Sequence, residues 1–243
     1  RNIRMTRQIS KNNILNLLPA NTYNAWAPYF EVIELTMGKV LYEPGSILSH
    51  MYFPTSTIVS WVYVLENGAS TEIAMTGREG VVGMYMLMGG GKSHNQAIVQ
   101  TTGQAIRIPV HVVLDTFNQG HEVQSIFWLF TRALITQMAQ IAVCHRHHTL
   151  DQQLCRMLLL TLKRMDGDTI VMTHEVIASL LGVRREGVTM AAKKLMHEGI
   201  IRYARGRISV LDRSALAQRA CECYGVIQQE YERLLPHSTH CKH

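Results

Sequence analysis

Between residues 29 and 108, apolar and polar positions alternate in short runs rich in β-branched and aromatic side chains, broken at Met37-Gly38, Pro44-Gly45, Asn67-Gly68, Gly77 and Gly103. Strands this short and this regularly punctuated predict a barrel or a sandwich. The clearest hairpin runs from residues 58–65 through Glu66-Asn67-Gly68 into residues 69–75. Asn-Gly suits the two positive-φ positions of a type I′ turn. Gly89-Gly90-Gly91 marks a flexible loop, and turning is its first expected role, ahead of a close backbone approach to a ligand.

The period changes at Val110. Gly120 separates a short helix from a long one spanning about residues 120–148, in which Val123, Phe127, Phe130, Leu134, Met138, Ile141 and His145 recur at spacings of three and four. A stripe of that length exceeds what a small β-domain covers, so part of it is expected to meet a second copy of the chain in coiled-coil fashion. Thr149 and Gln152 have capping-box spacing and start a further helix, which turns Leu154, Met157, Leu158, Leu160, Thr161 and Leu162 inward. This hinge is the expected domain boundary. Residues 1–148 would form the β-domain with the long helix, and residues 149–243 a second, mostly helical domain with a C-terminal extension.

Residues 173–211 carry the most informative pattern. Thr173 caps a helix that buries Val176, Ile177, Leu180 and Leu181, and Gly182 permits a left-handed turn into a second helix from about Arg184. That helix buries Val188, Ala191, Ala192 and Leu195, leaving Arg184, Arg185, Glu186, Thr189, Met190 and Lys193 outward. After Gly199, two short strands around Ala204-Arg205-Gly206 form a wing. Major-groove readout needs this distribution, because a recognition helix enters with its N-terminal side chains against base edges. Arg185 and Glu186 are the expected base readers, by an Arg fork on guanine and a Glu acceptor for cytosine N4. Thr173, His174, Thr189, Lys193 and Lys194 have the reach and donors for phosphates, and Arg205 sits at the wing tip.

Charge fits that reading. The chain holds 24 Lys and Arg against 18 Asp and Glu, a formal +6, and residues 173–213 alone hold eight against four. A basic patch there suits a polyanion, double-stranded DNA in this case. With 243 residues, 47% hydrophobic and 17% charged, the chain can bury its cores without staples. The five cysteines, Cys144, Cys155, Cys221, Cys223 and Cys241, therefore read as reduced thiols. There is no run of eighteen consecutive apolar residues, and residues 1–19 lack the apolar core of a secretory signal. The expectation is a cytoplasmic protein with no membrane partner.

Taken in order, these pieces resemble the Crp-Fnr family of bacterial transcription regulators. The resemblance is carried by Lys39-Val40-Leu41-Tyr42-Glu43-Pro44-Gly45, the long helix, and residues 173–210 with Gly182 and Arg185-Glu186. It implies an α+β chain with an N-terminal β-roll of cyclic-nucleotide-binding type, a long dimerisation helix and a C-terminal winged helix-turn-helix. It also implies a homodimer on a palindromic operator, RNA polymerase as a protein partner, and no enzymatic activity. The family's nucleotide-binding members hold the cyclic phosphate with an Arg-Ser pair and the ribose with a Glu. This sequence departs at both places. Val81 stands where the Glu would be in Gly80-Val81-Val82-Gly83, and the phosphate loop, with Lys92, Ser93, His94 and Asn95, holds no arginine. Cyclic AMP is therefore not the expected effector, and no cofactor is assigned. The third base-reading position, often Arg in the family, aligns with Met190, which suits a thymine methyl.

Sensor chemistry has three candidate places. The first cysteine is Cys144, so the N-terminal iron-sulfur ligands of some relatives are not matched. Cys144 and His148 share a helix face and suit a thiophilic metal. Further ligands are not evident for that pair, and a helix C-terminus independently favours His and Arg, so no metal is assigned. Cys221-Glu222-Cys223 is read as packed thiols, and the ligand-rich tail from His237 to His243 as an adventitious metal binder. Two other classes compete with the regulator. A cupin-like metal enzyme would have to use His50, His94, Glu43, Glu72 and Glu79, which are scattered along the chain. A protein-binding module with a vestigial winged helix would show no salt-dependent DNA binding.

Overall fold

A computed structural model describes residues 11–235. Most of the N-terminal segment and the ligand-rich tail from His237 lie outside the described residues. In chain order the elements are α1 (Asn13–Leu17), α2 (Ala20–Trp26), β1 (Glu31–Leu35), β2 (Val40–Tyr42), β3 (His50–Pro54), β4 (Ile58–Val64), β5 (Ser70–Thr76), β6 (Gln96–Thr101), β7 (Gly103–Pro109), α3 (Val110–Gln119) and α4 (His121–His147). There follow α5 (Leu150–Arg164), β8 (Thr169–Val171), α6 (His174–Leu181), α7 (Arg185–His197), β9 (Ile201–Ala204), β10 (Arg207–Val210), α8 (Arg213–Arg219) and α9 (Glu222–Leu234). The fold is the expected α+β arrangement of β-rich N-terminal region, long helix and winged helix-turn-helix. Among the described residues, contacts gather into two compact units, one of residues 11–61, 75–135 and 230–235, the other of residues 62–74 and 136–229.

The β-region forms two antiparallel sheets, ordered β1-β7-β3 and β2-β6-β4-β5. Leu35, Val99 and Ala105 close the space between them with Ile33 and Leu41. In the same unit Trp26 lies 6.4 Å from both Phe53 and Phe127, and Phe117 meets Phe127 edge-on at 6.0 Å. Offset and edge-on aromatics of this kind add to their area burial. Asn12 fastens the N-terminal helices to the sheet. Its Nδ2 donates to the carbonyls of Pro54 and Gly80 at 2.9 Å, and its Oδ1 caps α1 at the Leu15 amide. At Gly80 a Cβ would fall 2.2 Å from the Phe130 ring, so only glycine fits.

Two expectations need correction. The Asn67-Gly68 hairpin does not carry a type I′ turn, since Gly68 has φ 82° but Asn67 does not have positive φ. The Leu65 amide bonds the Ala69 carbonyl at 2.8 Å across a three-residue loop, and Asn67 Oδ1 accepts from the Ala69 amide. Glu66 supplies the extra residue, which allows an ordinary turn closed by one left-handed glycine. The long stripe is also not the self-association face. Val123, Phe127, Phe130, Leu134 and Ile141 are buried within the chain, whereas a different row on α4, Trp128, Leu129, Ile135 and Val143, is exposed. By length and apolarity α4 would pass for a bilayer span. Its buried Phe127, Phe130 and Gln137, and Arg132 paired with Glu230 at 3.2 Å, mark it as a core helix.

In the second unit α5 opens on the expected capping box, Thr149 with Gln152, and packs against α7 and α8. β10 lies between β8 and β9. The three-residue β8 is too short to leave a periodic signal, and it completes the sheet behind the wing.

Candidate nucleic-acid interface and metal centre

The helix-turn-helix forms as its sequence dictates. Thr173 Oγ1 caps α6 by accepting from the Val176 amide, and Gly182 ends it at φ 67°, a left-handed conformation that glycine adopts without strain. Its amide closes the last turn, and Val188, Ala191, Ala192 and Leu195 bury the inner face of α7. Arg184, Arg185, Glu186, Met190 and Lys193 are exposed together on the outer face. Arg185 Nε stands 3.9 Å from the Glu175 carboxylate with both side chains open to solvent, a loose pair that a base edge can replace. Ser70 and Thr71, at the start of β5, hydrogen-bond the last turn of α6. Ser70 Oγ is 2.7 Å from Ser179 Oγ, and Thr71 Oγ1 donates to the Leu180 carbonyl at 3.4 Å.

His174 and Lys194, expected at phosphates, have partners inside the protein. Lys194 Nζ pairs with Asp151 at 2.8 Å. His174 is buried and stacks on Tyr203 at 4.1 Å, with 21° between the rings. Its Nδ1 is 3.0 Å from Thr189 Oγ1, whose hydroxyl donates to the Arg185 carbonyl. A hydroxyl has one proton to give, so His174 Nδ1–H must be the donor here and Nε2 is bare. That Nε2 is buried without a partner. Burial, and then the nearby Arg185 charge, hold the His174 pKa below its ordinary value. The ring, carried on α6, thus touches α7 through Thr189 and β9 through Tyr203.

The wing carries the type I′ turn that the other hairpin lacks. Arg205 has φ 49° and Gly206 φ 73°, and Ala204 pairs with Arg207 across them. Arg205 is the one described non-glycine residue with positive φ. A left-handed conformation costs an L-residue roughly 1 kcal/mol, and it holds this guanidinium at the tip.

In the β-region the residues of the expected effector pocket are engaged locally or exposed. Val81 is completely buried. Ser93 Oγ donates to the Asn95 carbonyl at 2.6 Å and accepts from the Asn95 amide, and Asn95 Nδ2 donates to Tyr42 Oη. Tyr42 packs edge-on against Tyr85, whose hydroxyl donates to the Ser46 carbonyl. Lys92 and His94 are exposed, and Gly83 begins a short 3-10 turn at φ 108°. Gly89, Gly90 and Gly91 all have positive φ, as a tight turn requires.

The sequence leaves Cys144 and His148 short of ligands; the structure supplies two more. One ligand atom each from Cys144, His148, Cys221 and Cys223 lie within 4.8 Å of one another. Cys144 Sγ is 3.4 Å from Cys221 Sγ, and Cys223 Sγ is 3.6 Å from His148 Nδ1. His148 Nε2 meets the Glu222 carboxylate at 3.2 Å. All four described cysteines are free thiols. Burial pushes the Cys144 thiol up to about 12 and Cys223 up to about 11. Sequence reasoning missed the set because C-x₃-H and C-x-C are separate, weak signals until folding joins them. His50, His94, Glu43, Glu72 and Glu79, the residues a metal-holding barrel would use, form no such group among the described residues.

Comparison with known proteins bears on both halves. Residues 152–219 match the Crp-like helix-turn-helix domain, and residues 32–120 the cyclic nucleotide-binding domain. The global nitrogen regulator of Synechococcus elongatus is 24% identical over 200 residues, covering 78% of this chain and 89% of that protein. Among solved structures, a CRP/FNR-family transcriptional regulator from Thermus thermophilus superposes with a TM-score of 0.64 at 21% identity, over 78% of this chain and 98% of that one. The c-di-GMP-responsive global regulator CLP of Xanthomonas campestris does so with a TM-score of 0.65 at 14% identity, over 80% and 100%.

Proposed function

Since the chain belongs to the Crp-Fnr family, with both that family's sensor-type and DNA-binding domains, we propose that it is a cytoplasmic transcription regulator that binds a palindromic operator as a homodimer without cyclic AMP. The observation that carries this reading is the outward face of α7, where Arg184, Arg185, Glu186, Met190 and Lys193 stand free of the core beside a wing tipped by Arg205. Arg185 and Glu186 read bases, Met190 meets a thymine methyl, and Thr173, Lys193 and Arg205 fix register on phosphates, while the Thr189 hydroxyl, already bonded to His174 and the Arg185 carbonyl, stays inside the protein. His174 acts behind them by positioning α7. The sensor domain with its long helix spans residues 1–148 and the DNA-binding domain residues 149–243.

The exposed row Trp128, Leu129, Ile135 and Val143 on α4 supports the dimer, since an isologous helix pair would cover it. Two recognition helices would then meet half-sites about 34 Å apart. Cyclic AMP independence rests on the loop chemistry. A buried cyclic phosphate without a guanidinium loses its charge-assisted fork, and Ser93 and Asn95 already satisfy each other. RNA polymerase is the proposed protein partner.

The test is footprinting of the purified protein, without added nucleotide, on DNA upstream of its own gene and on DNA selected from random sequence, titrated over salt. Protection of a two-fold symmetric site, weakening steeply with salt, is the expected result. Selection that yields no symmetric consensus, with binding insensitive to salt, would overturn the reading in favour of a protein-binding winged helix.

A further inference from the structure

We propose that Cys144, His148, Cys221 and Cys223 form a tetrahedral zinc site that fastens the C-terminal helix to the hinge after the long helix. The inference is independent of the regulator reading, because it concerns metal and not DNA.

Geometry comes first. Zinc–sulfur bonds of about 2.3 Å and zinc–nitrogen bonds of about 2.0 Å put the edges of a tetrahedron at roughly 3.5 to 3.8 Å. Two of the six edges are 3.4 Å, between Cys144 Sγ and Cys221 Sγ, and 3.6 Å, between Cys223 Sγ and His148 Nδ1, and all four ligand atoms lie within 4.8 Å of one another. A disulfide would need its sulfurs at about 2.05 Å, so the pair is spaced for a shared ion, not for a bond.

The surroundings fit the same chemistry. His148 places Nε2 3.2 Å from the Glu222 carboxylate and Nδ1 3.6 Å from Cys223 Sγ, so a ring that gives its Nε2–H to Glu222 would present Nδ1 to a metal. Carboxylate-held imidazoles of this kind are the usual second layer of zinc sites, where they fix tautomer and ring orientation. Cys144, Cys221 and Cys223 pack together as a buried cluster, which keeps water from completing the coordination sphere. Three thiolates, one neutral imidazole and one Zn²⁺ carry a net charge of −1. Arg156, buried and with no partner for its Nε–H, lies close enough to act on the Cys144 thiol and supplies the balancing charge. On binding, the three thiols release their protons to the buffer and the ion sheds its water, with no change of oxidation state. Sulfur-rich four-coordination excludes magnesium and calcium and suits zinc.

The consequence is mechanical. Cys144 belongs to the last turn of α4, His148 to the junction before α5, and Cys221 and Cys223 to the start of α9. An ion held by all four ties these segments together, and its binding free energy adds to the stability of this part of the chain.

The experiment uses the full chain, purified under reducing conditions. Metal content is measured by mass spectrometry, and the metal-stripped protein is titrated with cobalt and zinc. One zinc per chain retained through dialysis, and intense visible cobalt bands of a tetrahedral thiolate site, are expected. Cys221→Ser and Cys223→Ser should abolish the cobalt bands. Glu222→Gln, at an exposed position that folding tolerates, should weaken zinc binding about 10- to 100-fold. Cys155→Ser and Cys241→Ser should change neither readout, since the four named ligands complete the tetrahedron. Substoichiometric metal with pale octahedral cobalt, loss of binding in the Cys241→Ser protein, or a Cys144–Cys221 disulfide in protein that takes up no zinc would each overturn the site.

Discussion

The loop of residues 92–95 and the outer face of the winged helix both carry polar and cationic side chains, and they are prepared in opposite ways. In the loop, Ser93 and Asn95 close on each other and on Tyr42, and the cationic and imidazole groups of Lys92 and His94 point to solvent without converging. In the winged helix Arg184, Glu186 and Lys193 stand on an open face, Arg185 makes only a loose solvent-exposed pair with Glu175 at 3.9 Å, and Arg205 is held at the wing tip against its own backbone preference. A polar side chain satisfied at home gains little from a ligand, because the exchange of one hydrogen bond for another is close to neutral. One held exposed by rigid neighbours gains the whole of a charge-assisted bond. The regions differ in what they can bind because they differ in what they have already bound.

The largest expected effect is at the open face. Arg185→Ala should cost about 1 to 3 kcal/mol at one base pair of each half-site and relax preference there, while affinity for unrelated DNA changes little. Quantitative binding to single-base variants of the selected operator reads this directly. An unchanged preference at every position would remove Arg185 from base reading, and with it the contrast between the regions.

His174 ranks next, because it underlies the open face without belonging to it. Its Nε2 is buried and bare, and its pKa lies below the ordinary value of 6.5 because of burial and the Arg185 charge. The unfolded chain therefore takes up a proton before the folded chain does. The stabilising contribution is complete above pH 6.5 and is lost as pH falls from there toward the folded pKa. Thermal unfolding followed from about pH 8 to about pH 5 should show the wild type losing more stability than His174→Asn, which keeps a donor for Thr189 but has no titrating ring. At neutral pH His174→Ala should cost about 1 to 2 kcal/mol, through the lost stacking on Tyr203 and the lost bond to Thr189. Parallel pH curves for wild type and His174→Asn would show that the ring is not the titrating group.

What could be read from the sequence follows the range of the interactions. Thr173, Gly182, the buried face of α7 and the Thr149–Gln152 capping box are local devices, and each forms as its spacing predicts. The exposed outer face of α7 was legible for the same reason. The loop Glu66-Asn67-Gly68 was placed correctly but given the wrong turn type, because a three-residue loop closes with one left-handed glycine where a type I′ turn needs two positive-φ residues. The burial of His174 could not be read, since the ring that covers it, Tyr203, arrives from the wing. Which row of α4 is left open depends on packing by Phe117, from the preceding helix, and by Trp26, about a hundred residues back in the chain. The cysteine and histidine cluster was hidden most completely, because neither of its two short motifs contains a full set of ligands.

Arg205 sharpens the comparison at smaller scale. Replacing it with glycine removes the unfavourable left-handed conformation, so Arg205→Gly should stabilise the fold by up to about 1 kcal/mol. The same change should weaken operator binding roughly equally for all sequences and reduce the dependence of log affinity on log salt by about 1. Opposite signs for stability and binding are the signature of a strained residue kept for contact. Loss of stability in Arg205→Gly would mean that the arginine serves the wing itself.

The smallest expected effect is the one at the closed loop, and its smallness carries information. A ligand present at 100 times its dissociation constant raises folding stability by about 2.7 kcal/mol, which in a chain of this size moves the melting temperature by roughly 5 to 10 °C. Cyclic AMP at millimolar concentration should produce no resolvable shift, because Ser93 and Asn95 would have to break their mutual bonds to receive it, and no guanidinium in the loop repays the desolvation of its phosphate. The substitution that tests this cause is His94→Arg, which puts a guanidinium on the loop without disturbing the Ser93–Asn95 pair. If the missing fork were the whole barrier, His94→Arg would gain a shift. If the closed turn is the barrier, His94→Arg will gain no shift, because the Ser93 hydroxyl stays bonded to the Asn95 backbone carbonyl and amide. The closed turn is the expected answer, since a cation at the rim cannot open hydrogen bonds that the loop makes with itself.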